Sequence, residues 1–354
     1  MTNAALSELL AEHGLAAVEV PGTDGGAILA LNAGARTLRL TGESGHDFLW
    51  MNSALLEGRM VEEDPATGWR NFGGDRTWIS PESDIMIEDL GDPWRTYRMP
   101  PSFDPGHYEV SRDGSGVRLS NRCVVRNHRL NAEAEIAVDK TIAAILNPLR
   151  TSDAGRLLVS AEYIGCEQTT TLSLLSKPVR GMRFGLWHLT QLRSPAEVLV
   201  PISEPTRPHT YFGQADTTQM SVEERLVRFR VDGTELRKIG LKADAVTGRM
   251  GFVQELADGS WSLVVRNIIV NPSAEYVDTP WDDLEDTGYA VQCFSNSGPD
   301  DFAELEYHTP AIGDGTGTSS YTDRSQLWAF RAEQPIIQRI ARRLLAVDIQ
   351  ECCS

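Results

Sequence analysis

Apolar and polar residues alternate in short runs along most of the chain. Between about Gly26 and Phe330 these runs show a period of two and are separated by clusters of Gly, Asp, Asn and Pro. Successive side chains of a strand point to opposite faces, so this period is typical of strands with one buried face. Well over ten such runs occur, and helical periodicity is nearly absent between them. The pattern predicts an all-β protein built mainly of antiparallel strands.

The segment HYEVSRDGSGVRLSNRCVV shows the pattern most clearly. It predicts a hairpin whose turn covers Asp113 to Gly116, with Tyr108 and Val110 on one strand and Val117 and Leu119 on the other.

The two ends of the chain differ from this pattern. MTNAALSELLAEHG predicts a short amphipathic helix, and QPIIQRIARRLLAVDIQ predicts a second one over about 334–348. We expect the second helix to pack on an edge of the β-structure, with a subunit contact as the alternative. No shift in composition marks a linker, so residues 1–354 are interpreted as a single domain. The expected architecture is a large antiparallel β-supersandwich with a short C-terminal helix.

Composition and charge exclude several classes of protein. Of the 354 residues 41% are hydrophobic and 23% charged, and the formal charge is −17. An acid-rich chain does not suit a nucleic-acid partner, and the absence of a long apolar run argues against a membrane protein. The amino terminus lacks the features of a secretory signal, and the five cysteines are odd in number. We therefore expect a cytoplasmic protein, either a monomer or a homodimer.

The stretch WRNFGGDRTWISPE, from Trp69 to Glu82, combines two glycines with charged and aromatic residues. A glycine pair permits backbone angles closed to other residues and lets the main chain approach a ligand or another strand. Guanidinium, carboxylate and indole groups together can bind the hydroxyls and the apolar face of a sugar. The alternative is a turn whose charged residues pair only with neighbours. The predicted substrate-binding residues here are Asn71, Asp75, Arg76, Trp78 and Glu82.

Several segments in order along the chain resemble those of the galactose mutarotase-like superfamily. They are GGAILALNAGARTLRL, GGDRTWISPE, KIGL, YAVQCFSN and AELEYHTP, within roughly residues 15–330. The resemblance is to bacterial proteins of unknown function in this superfamily, which are similar to aldose 1-epimerases and hexose-6-phosphate epimerases. It implies a supersandwich fold and a sugar substrate. It also implies a histidine acid and a glutamate base that act on opposite sides of the anomeric carbon.

His188, on a strand midway along the chain, resembles the acid histidine of those epimerases in its position. In a strand it would share a sheet face with Thr190, while Trp187 would face the other way. His209 and His308 are the weaker alternatives. A lone histidine in a strand is otherwise a residue of the core or the surface.

The catalytic base is less clear, because the late Pro-Gly-Glu segment of the epimerases has no counterpart here. Glu304 and Glu306 lie two residues apart and therefore share one face of a strand. Two carboxyl groups this close raise each other's proton affinity and can supply a base near neutrality, or bind a cation or hydroxyls. The alternative is a pair of solvated acids on an exposed strand.

Three further residues complete the predicted substrate site. The resemblance places Lys238 where epimerases carry an aspartate, and a cation there suits an acidic or phosphorylated sugar. The alternative for Lys238 is a solvated edge residue. Gln292 and Asn296 are expected to orient hydroxyl groups.

Motifs for other chemistries are missing from the sequence. It contains no glycine-rich phosphate loop, nucleophile elbow, HExxH helix or paired CxxC motif, so neither a cofactor nor a metal is expected. We interpret the chain as an aldose 1-epimerase-like isomerase acting on a small-molecule sugar. A polysaccharide or uronate lyase, a glycoside hydrolase and a non-catalytic carbohydrate-binding protein remain open. The interpretation requires Arg76 and His188 to face one cleft, and their placement on opposite surfaces would contradict it.

Overall fold

The structure, a computed structural model, describes residues 1–151, 160–177, 179–214, 216–298 and 300–349. Within them twenty strands form two ten-stranded sheets in which every pair of neighbouring strands is antiparallel. This agrees with the predicted antiparallel supersandwich.

The first sheet contains the segment with the glycine pair. Its strand order is β1-β2-β3-β4-β9-β18-β17-β14-β11, and β19 pairs with β9. Its strands are β1 (Ala17–Pro21), β2 (Ala27–Leu31), β3 (Arg36–Thr41), β4 (Asp75–Ser80), β9 (Arg183–Arg193), β11 (His209–Phe212), β14 (Arg237–Lys242), β17 (Tyr289–Ser295), β18 (Phe302–His308) and β19 (Ile312–Gly313).

The second sheet has the order β12-β13-β10-β15-β16-β20-β8-β7-β6-β5. Its strands are β5 (Glu109–Asp113), β6 (Gly116–Asn127), β7 (Ala132–Ala144), β8 (Glu162–Leu174), β10 (Ala196–Pro201), β12 (Met220–Val222), β13 (Leu226–Val231), β15 (Arg249–Glu255), β16 (Trp261–Asn267) and β20 (Ser320–Ala332). The predicted hairpin is confirmed, because β5 and β6 pair from Asp113 and Gly116 outward.

The main core lies between the two sheets. Ile28, Ile79 and Leu186 of the first sheet are fully or almost fully buried in one cluster with Val138 and Val264 of the second. The α-helices of the described residues are α1 (Asn3–Glu12), α2 (Ser53–Leu56), α3 (Glu82–Ile85), α4 (Pro93–Thr96) and α5 (Gln334–Leu345), and Ser102–Gly106 form a short π-helix. The predicted amino-terminal helix is α1, which packs Leu6 and Leu10 against β2 and β3.

The C-terminal helix α5 forms where the sequence predicts it but packs elsewhere. It contacts β15, β16 and β20, which lie in the middle of the second sheet. Ile337 and Ile340 are fully buried there with Leu263 and Phe330. The expectation that α5 packs on an edge is therefore wrong. The apolar residues on the outer face of these central strands need a cover, and α5 provides it.

The glycine pair before β4 permits close contact between backbones. Gly73 and Gly74 have φ values of +96° and +76°. A Cβ on Gly73 would lie 2.4 Å from the carbonyl oxygen of Trp50, and one on Gly74 would lie 2.4 Å from that of Thr37. Of the two uses that the sequence leaves open, approach to another strand is the one observed.

Two further observations concern cysteines and membrane helices. Cys123, Cys166 and Cys293 are free thiols, whereas Cys352 and Cys353 lie outside the described residues. Among the described residues, no helix has both the length and the apolar composition needed to cross a membrane.

Candidate functional site

The alternation of side chains along β4 divides the charged residues near the glycine pair between two surfaces. Asp75 and Thr77 point toward the second sheet, where the side chain of Lys140 on β7 contacts both. Arg76 and Trp78 therefore point away from the second sheet. Adjacent residues of one motif thus serve two separate clusters.

The inward-facing cluster, called the interior network here, joins the two sheets. Oδ1 of Asp75 accepts hydrogen bonds from Thr190 (2.7 Å) and from Arg266 on β16 (2.9 Å). Its Oδ2 accepts one from Gln168 on β8 (2.6 Å). Burial opposes ionisation of Asp75, but Arg266 and Lys140 outweigh it and lower the pKa of this carboxyl. Asp75 is therefore an ionised residue of the core, held by cations from the second sheet.

His188 belongs to the interior network and is fully buried. Its Nδ1 lies 3.1 Å from Oγ1 of Thr77, and its ring stacks on Tyr307 at 4.6 Å. Burial lowers its pKa well below the usual value for histidine, and the positive charges of Lys140 and Arg266 add to this effect. His188 is thus a neutral side chain between the sheets.

The placement of His188 corrects the expectation that it shares a cleft with Arg76. Leu189 pairs with Arg76, and His188 pairs with Thr77, so the two side chains leave their strands on opposite faces. The prediction that His188 and Trp187 face opposite sides of the sheet is confirmed, since the Trp187 side chain lies on the same face as Arg76. The interpretation that required Arg76 and His188 to face one cleft is therefore contradicted, and a carbohydrate assignment has to rest on other residues. A role for His188 in proton transfer stays a prediction.

The outward-facing cluster, called the outer-face site here, contains two ion pairs. Arg76 Nη1 lies 2.9 Å from Glu304 Oε1, and Lys238 Nζ lies 3.0 Å from Glu306 Oε2. Trp187 Nε1 also donates to Glu306 Oε2 at 2.8 Å. The two glutamates share one face of β18 as predicted, but they are buried and paired, and Lys238 is buried as well. The alternatives of solvated acids and a solvated lysine are therefore wrong.

Indole rings hold the Arg76 guanidinium in place. Its Cζ lies 4.0 Å from the ring centre of Trp78 and 4.7 Å from that of Trp69. Asp104 Oδ2 accepts a hydrogen bond from each of these indoles, at 2.8 Å and 3.0 Å, and so fixes their orientation. The cation–π contacts and Glu304 together leave Arg76 little freedom.

Glu82, at the start of α3, connects the outer-face site to the loops that cover it. Its carboxylate accepts hydrogen bonds from the Tyr97 hydroxyl and the Trp281 indole, both at 3.1 Å. Its backbone N–H donates to Asp278, which also accepts a hydrogen bond from Gln292 at 2.7 Å. Aromatic side chains that continue outward from this point are Trp94, Phe212 and Phe294.

Two carboxyl groups of the outer-face site have pKa values shifted toward neutrality. Burial raises the pKa of Glu306 to about 7, because the attraction of Lys238 only partly offsets the desolvation and Glu304 adds repulsion. Burial also raises the pKa of Glu82, against the opposing charge of Lys238 and with the repulsion of Asp278. The pKa of Lys238 is raised although burial opposes it, because Glu306, Glu82 and Asp278 all favour its charge. The outer-face site therefore holds a permanent cation beside Glu306, a carboxyl group that can exchange protons near pH 7.

Several buried polar atoms of the outer-face site have no hydrogen-bond partner within the described part of the chain. They include both side-chain amide atoms of Gln191, Oε1 of Gln292 and both ring nitrogens of His308. The register of β18 against β9 places Gln191 beside Glu304 and His308 beside Trp187. His308 Nε2 lies 3.6 Å from Asp278, too far for a hydrogen bond, and burial lowers the pKa of this histidine to about 4. Neutral donors and acceptors left unpaired in this way can bind the hydroxyl groups of a ligand.

Most residues predicted to bind substrate lie together in the outer-face site. Asp75 is the exception in the interior network, and Asn71 and Asn296 lie at the margins of the sheet. The Asn71 carbonyl accepts a hydrogen bond from Asn52, and Asn296 bonds to residues of the turn before β18. The residues brought together are Arg76, Trp78, Glu82, Lys238, Gln292, Glu304 and Glu306.

Sequence reasoning missed several members of the outer-face site. Gln191 and Trp187 could have been found from the period of two along β9, once the face of Arg76 was known. Asp104, Tyr97 and Trp281 lie in irregular segments whose sequence carries no period. Across the described ranges, no three His, Cys, Asp or Glu side chains form a group that could hold a metal ion.

The fold is shared with a solved structure of a candidate aldose 1-epimerase. A candidate aldose 1-epimerase from Escherichia coli K12 is 9% identical, with 89% of this chain and 99% of that chain covered and a TM-score of 0.51. One from Klebsiella pneumoniae is 10% identical, with 91% and 80% covered and a TM-score of 0.49. The galactose 1-epimerase from Lactobacillus acidophilus is 10% identical, with 90% and 95% covered and a TM-score of 0.42. At this identity the Escherichia coli structure establishes the galactose mutarotase-like fold, as the sequence resemblance predicts, and nothing further.

Sequence comparisons give a family but no activity. A search of curated proteins found no significant match. The model of one family matches residues 30–354, which is most of the chain. The protein therefore belongs to DUF6786, a family of unknown function.

Proposed function

We propose that the outer-face site binds a monosaccharide or small glycoside and catalyses proton transfer at its anomeric carbon. The observation that carries the proposal is the group of unpaired buried polar atoms beside two carboxyl groups with pKa values shifted toward neutrality. The amide of Gln191, the carbonyl of Gln292 and the ring of His308 are suited to hydroxyl groups.

Interconversion of anomers requires one group that accepts a proton and one that donates a proton. Ionised Glu306 takes the proton from the anomeric hydroxyl while a protonated acid, for which Glu82 is our candidate, gives one to the ring oxygen. The bond between the anomeric carbon and the ring oxygen breaks, and an open-chain carbonyl forms. Ring closure on the other face of the carbonyl returns both protons. No oxidant or reductant is needed.

The pKa of Glu306 suits this role. A group that titrates near the working pH is present in both protonation states, and it combines adequate basicity with an adequate ionised fraction. The Arg76 guanidinium, whose Nε has no hydrogen-bond partner within the described residues, can stabilise the negative charge that develops on an oxygen of the open-chain form. Lys238 keeps Glu306 oriented and limits the rise in its pKa.

The test follows the optical rotation of freshly dissolved α-anomers of common aldoses. The protein should accelerate their equilibration, and the rate should fall as the pH decreases below about 7 because Glu306 becomes protonated. Glu306→Gln keeps the size of the side chain and removes the base, so turnover should fall by roughly 100-fold or more.

Glu224→Gln, an exposed acid between β12 and β13 of the second sheet, is the matched control and should retain activity. Sugar binding without acceleration would indicate a non-catalytic carbohydrate-binding protein. Full activity in Glu306→Gln would remove Glu306 from the mechanism.

A further inference from the structure

We infer that the sugar bound by the outer-face site carries a protonated amine, as in an amino sugar, and that anionic sugars are excluded. This inference rests on the proposed function and specifies its substrate class. It reverses the expectation that Lys238 binds a carboxylate or a phosphate.

The balance of charge in the outer-face site favours a cation. Four carboxyl groups, those of Glu82, Asp278, Glu304 and Glu306, surround two cations, Arg76 and Lys238. If Glu82 is protonated, as the proposed mechanism requires, and the other five groups are ionised, the site carries a formal charge of −1. A further positive charge would be stabilised there, whereas a further negative charge would meet uncompensated repulsion in a region of low dielectric.

Both cations are already paired with carboxylates. Arg76 is paired with Glu304 and lies over the rings of Trp69 and Trp78. Lys238 Nζ lies 3.0 Å from Glu306 and 4.6 Å from the ring centre of Trp187. A sugar carboxylate or phosphate would compete with Glu304 and Glu306 for these cations, and a displaced glutamate would be left unpaired in a buried position, which is strongly unfavourable.

The groups near Glu82 also suit an ammonium group. Gln292 Oε1, which is fully buried, is an acceptor without a partner in the part of the chain that the structure describes. Its own amide nitrogen is occupied by Asp278 and Tyr211, so the free atom can only accept a hydrogen bond. Trp281 and Tyr97, which both bond to Glu82, place aromatic rings beside this carboxyl group, and aromatic rings attract cations. A ligand with N–H donors and positive charge would match these features together.

Binding of a ligand with an ammonium group would also release protons from the outer-face site. The groups that face Glu306 and Glu82 are Lys238, Glu304, Asp278, the neutral ring of His308 and the hydroxyls of Tyr97 and Tyr211. Burial raises the pKa of Glu306 to about 7, so this carboxyl is partly protonated at pH 7. A cation favours its ionised form, which is the base of the proposed mechanism, so binding should release protons at pH 7.

The experiment is isothermal titration calorimetry of the full chain at pH 7 with four sugars that share one ring configuration. They are glucosamine, N-acetylglucosamine, glucose and glucuronate. We expect glucosamine to bind roughly tenfold more tightly than the two neutral sugars, the magnitude of one charge-assisted hydrogen bond. Glucuronate should not bind measurably. Titrations in two buffers of different ionisation enthalpy should show net proton release for glucosamine alone.

Two variants make the test specific. Glu306→Gln should abolish most of the preference for glucosamine over glucose, and Glu224→Gln should leave it unchanged. Equal or tighter binding of glucose or glucuronate would overturn this inference and leave the proposed function standing. Failure of all four sugars to bind, repeated with the other aldoses that the polarimetric test uses, would contradict the proposed function itself.

Discussion

At the scale of the residue, the neutral imidazole of His308 makes a measurable prediction. Its pKa of about 4 lies below the value of 6.5 for an unperturbed histidine, because the ring is buried. As the pH falls from 6.5 toward 4, the unfolded chain binds a proton at this residue before the folded chain does. The contribution of His308 to the free energy of unfolding is therefore fully present above pH 6.5 and is lost as the pH falls through about 4.

His308→Phe removes this titration and keeps a ring that can stack on Trp187. Between pH 7 and pH 4 the free energy of unfolding should decrease less in the variant than in the original protein, by up to roughly 3 kcal/mol. Urea denaturation at several pH values measures the difference. His13→Phe, at an exposed position, is the control and should follow the original curve. Parallel curves for His308→Phe would show that its ring is not held neutral.

The same scale shows what the sequence could predict about the site. The period of two places Glu304 beside Glu306, and it separates Trp187 from His188. It does not say which face of β4 meets the second sheet, because Asp75 and Arg76 are both charged and both buried. An apolar pattern identifies the inward face of a strand only where the polar residues of that strand face outward. The interior network breaks that rule, so the sequence pattern could not show that His188 faces the second sheet.

At the scale of the element, the turn into β4 depends on glycine. Gly73→Ala would introduce a Cβ 2.4 Å from the carbonyl oxygen of Trp50 at a φ of +96°. Both the collision and the backbone strain oppose folding, and we expect a loss of about 3 kcal/mol or more.

Gly68→Ala is the matched control for this prediction. Gly68 has a φ of +73°, but its Cβ would meet nothing within 4 Å, so only the backbone strain applies. We expect this variant to lose about 1 kcal/mol. Thermal or denaturant unfolding of both variants provides the comparison. Equal losses would show that the contact with Trp50 is not what requires glycine.

Strands and helices were predictable from the sequence to different degrees. The β5–β6 hairpin and the helices α1 and α5 follow from local periodicity, and all three form. The position of α5 could not be predicted. Its apolar face indicates that the helix packs against other residues, but not against which strands. The loops that carry Tyr97 and Trp281 over the outer-face site have no period at all, and only their packing on Glu82 identifies them.

At the scale of the whole molecule, two clusters of charge lie on opposite sides of one sheet. The interior network links β4 to β7, β8 and β16 through Asp75, so it fixes the position of the two sheets relative to each other. Removing one partner of such a buried pair typically destabilises a protein by 3–5 kcal/mol. The outer-face site lies on the other side of β4. Its residues can therefore change without disturbing the contacts that join the two sheets. This separation explains how a polar core and a candidate ligand site can use adjacent residues.

We propose that the ligand binds on the face of Arg76 and not between the sheets. A crystal structure of the protein soaked with an amino sugar would locate the ligand. We expect a sugar ring beneath Tyr97 and Trp281, within hydrogen-bond distance of Glu306 and Gln191. A sugar bound at another surface, or one that contacts His188 through an opening between the sheets, would contradict it.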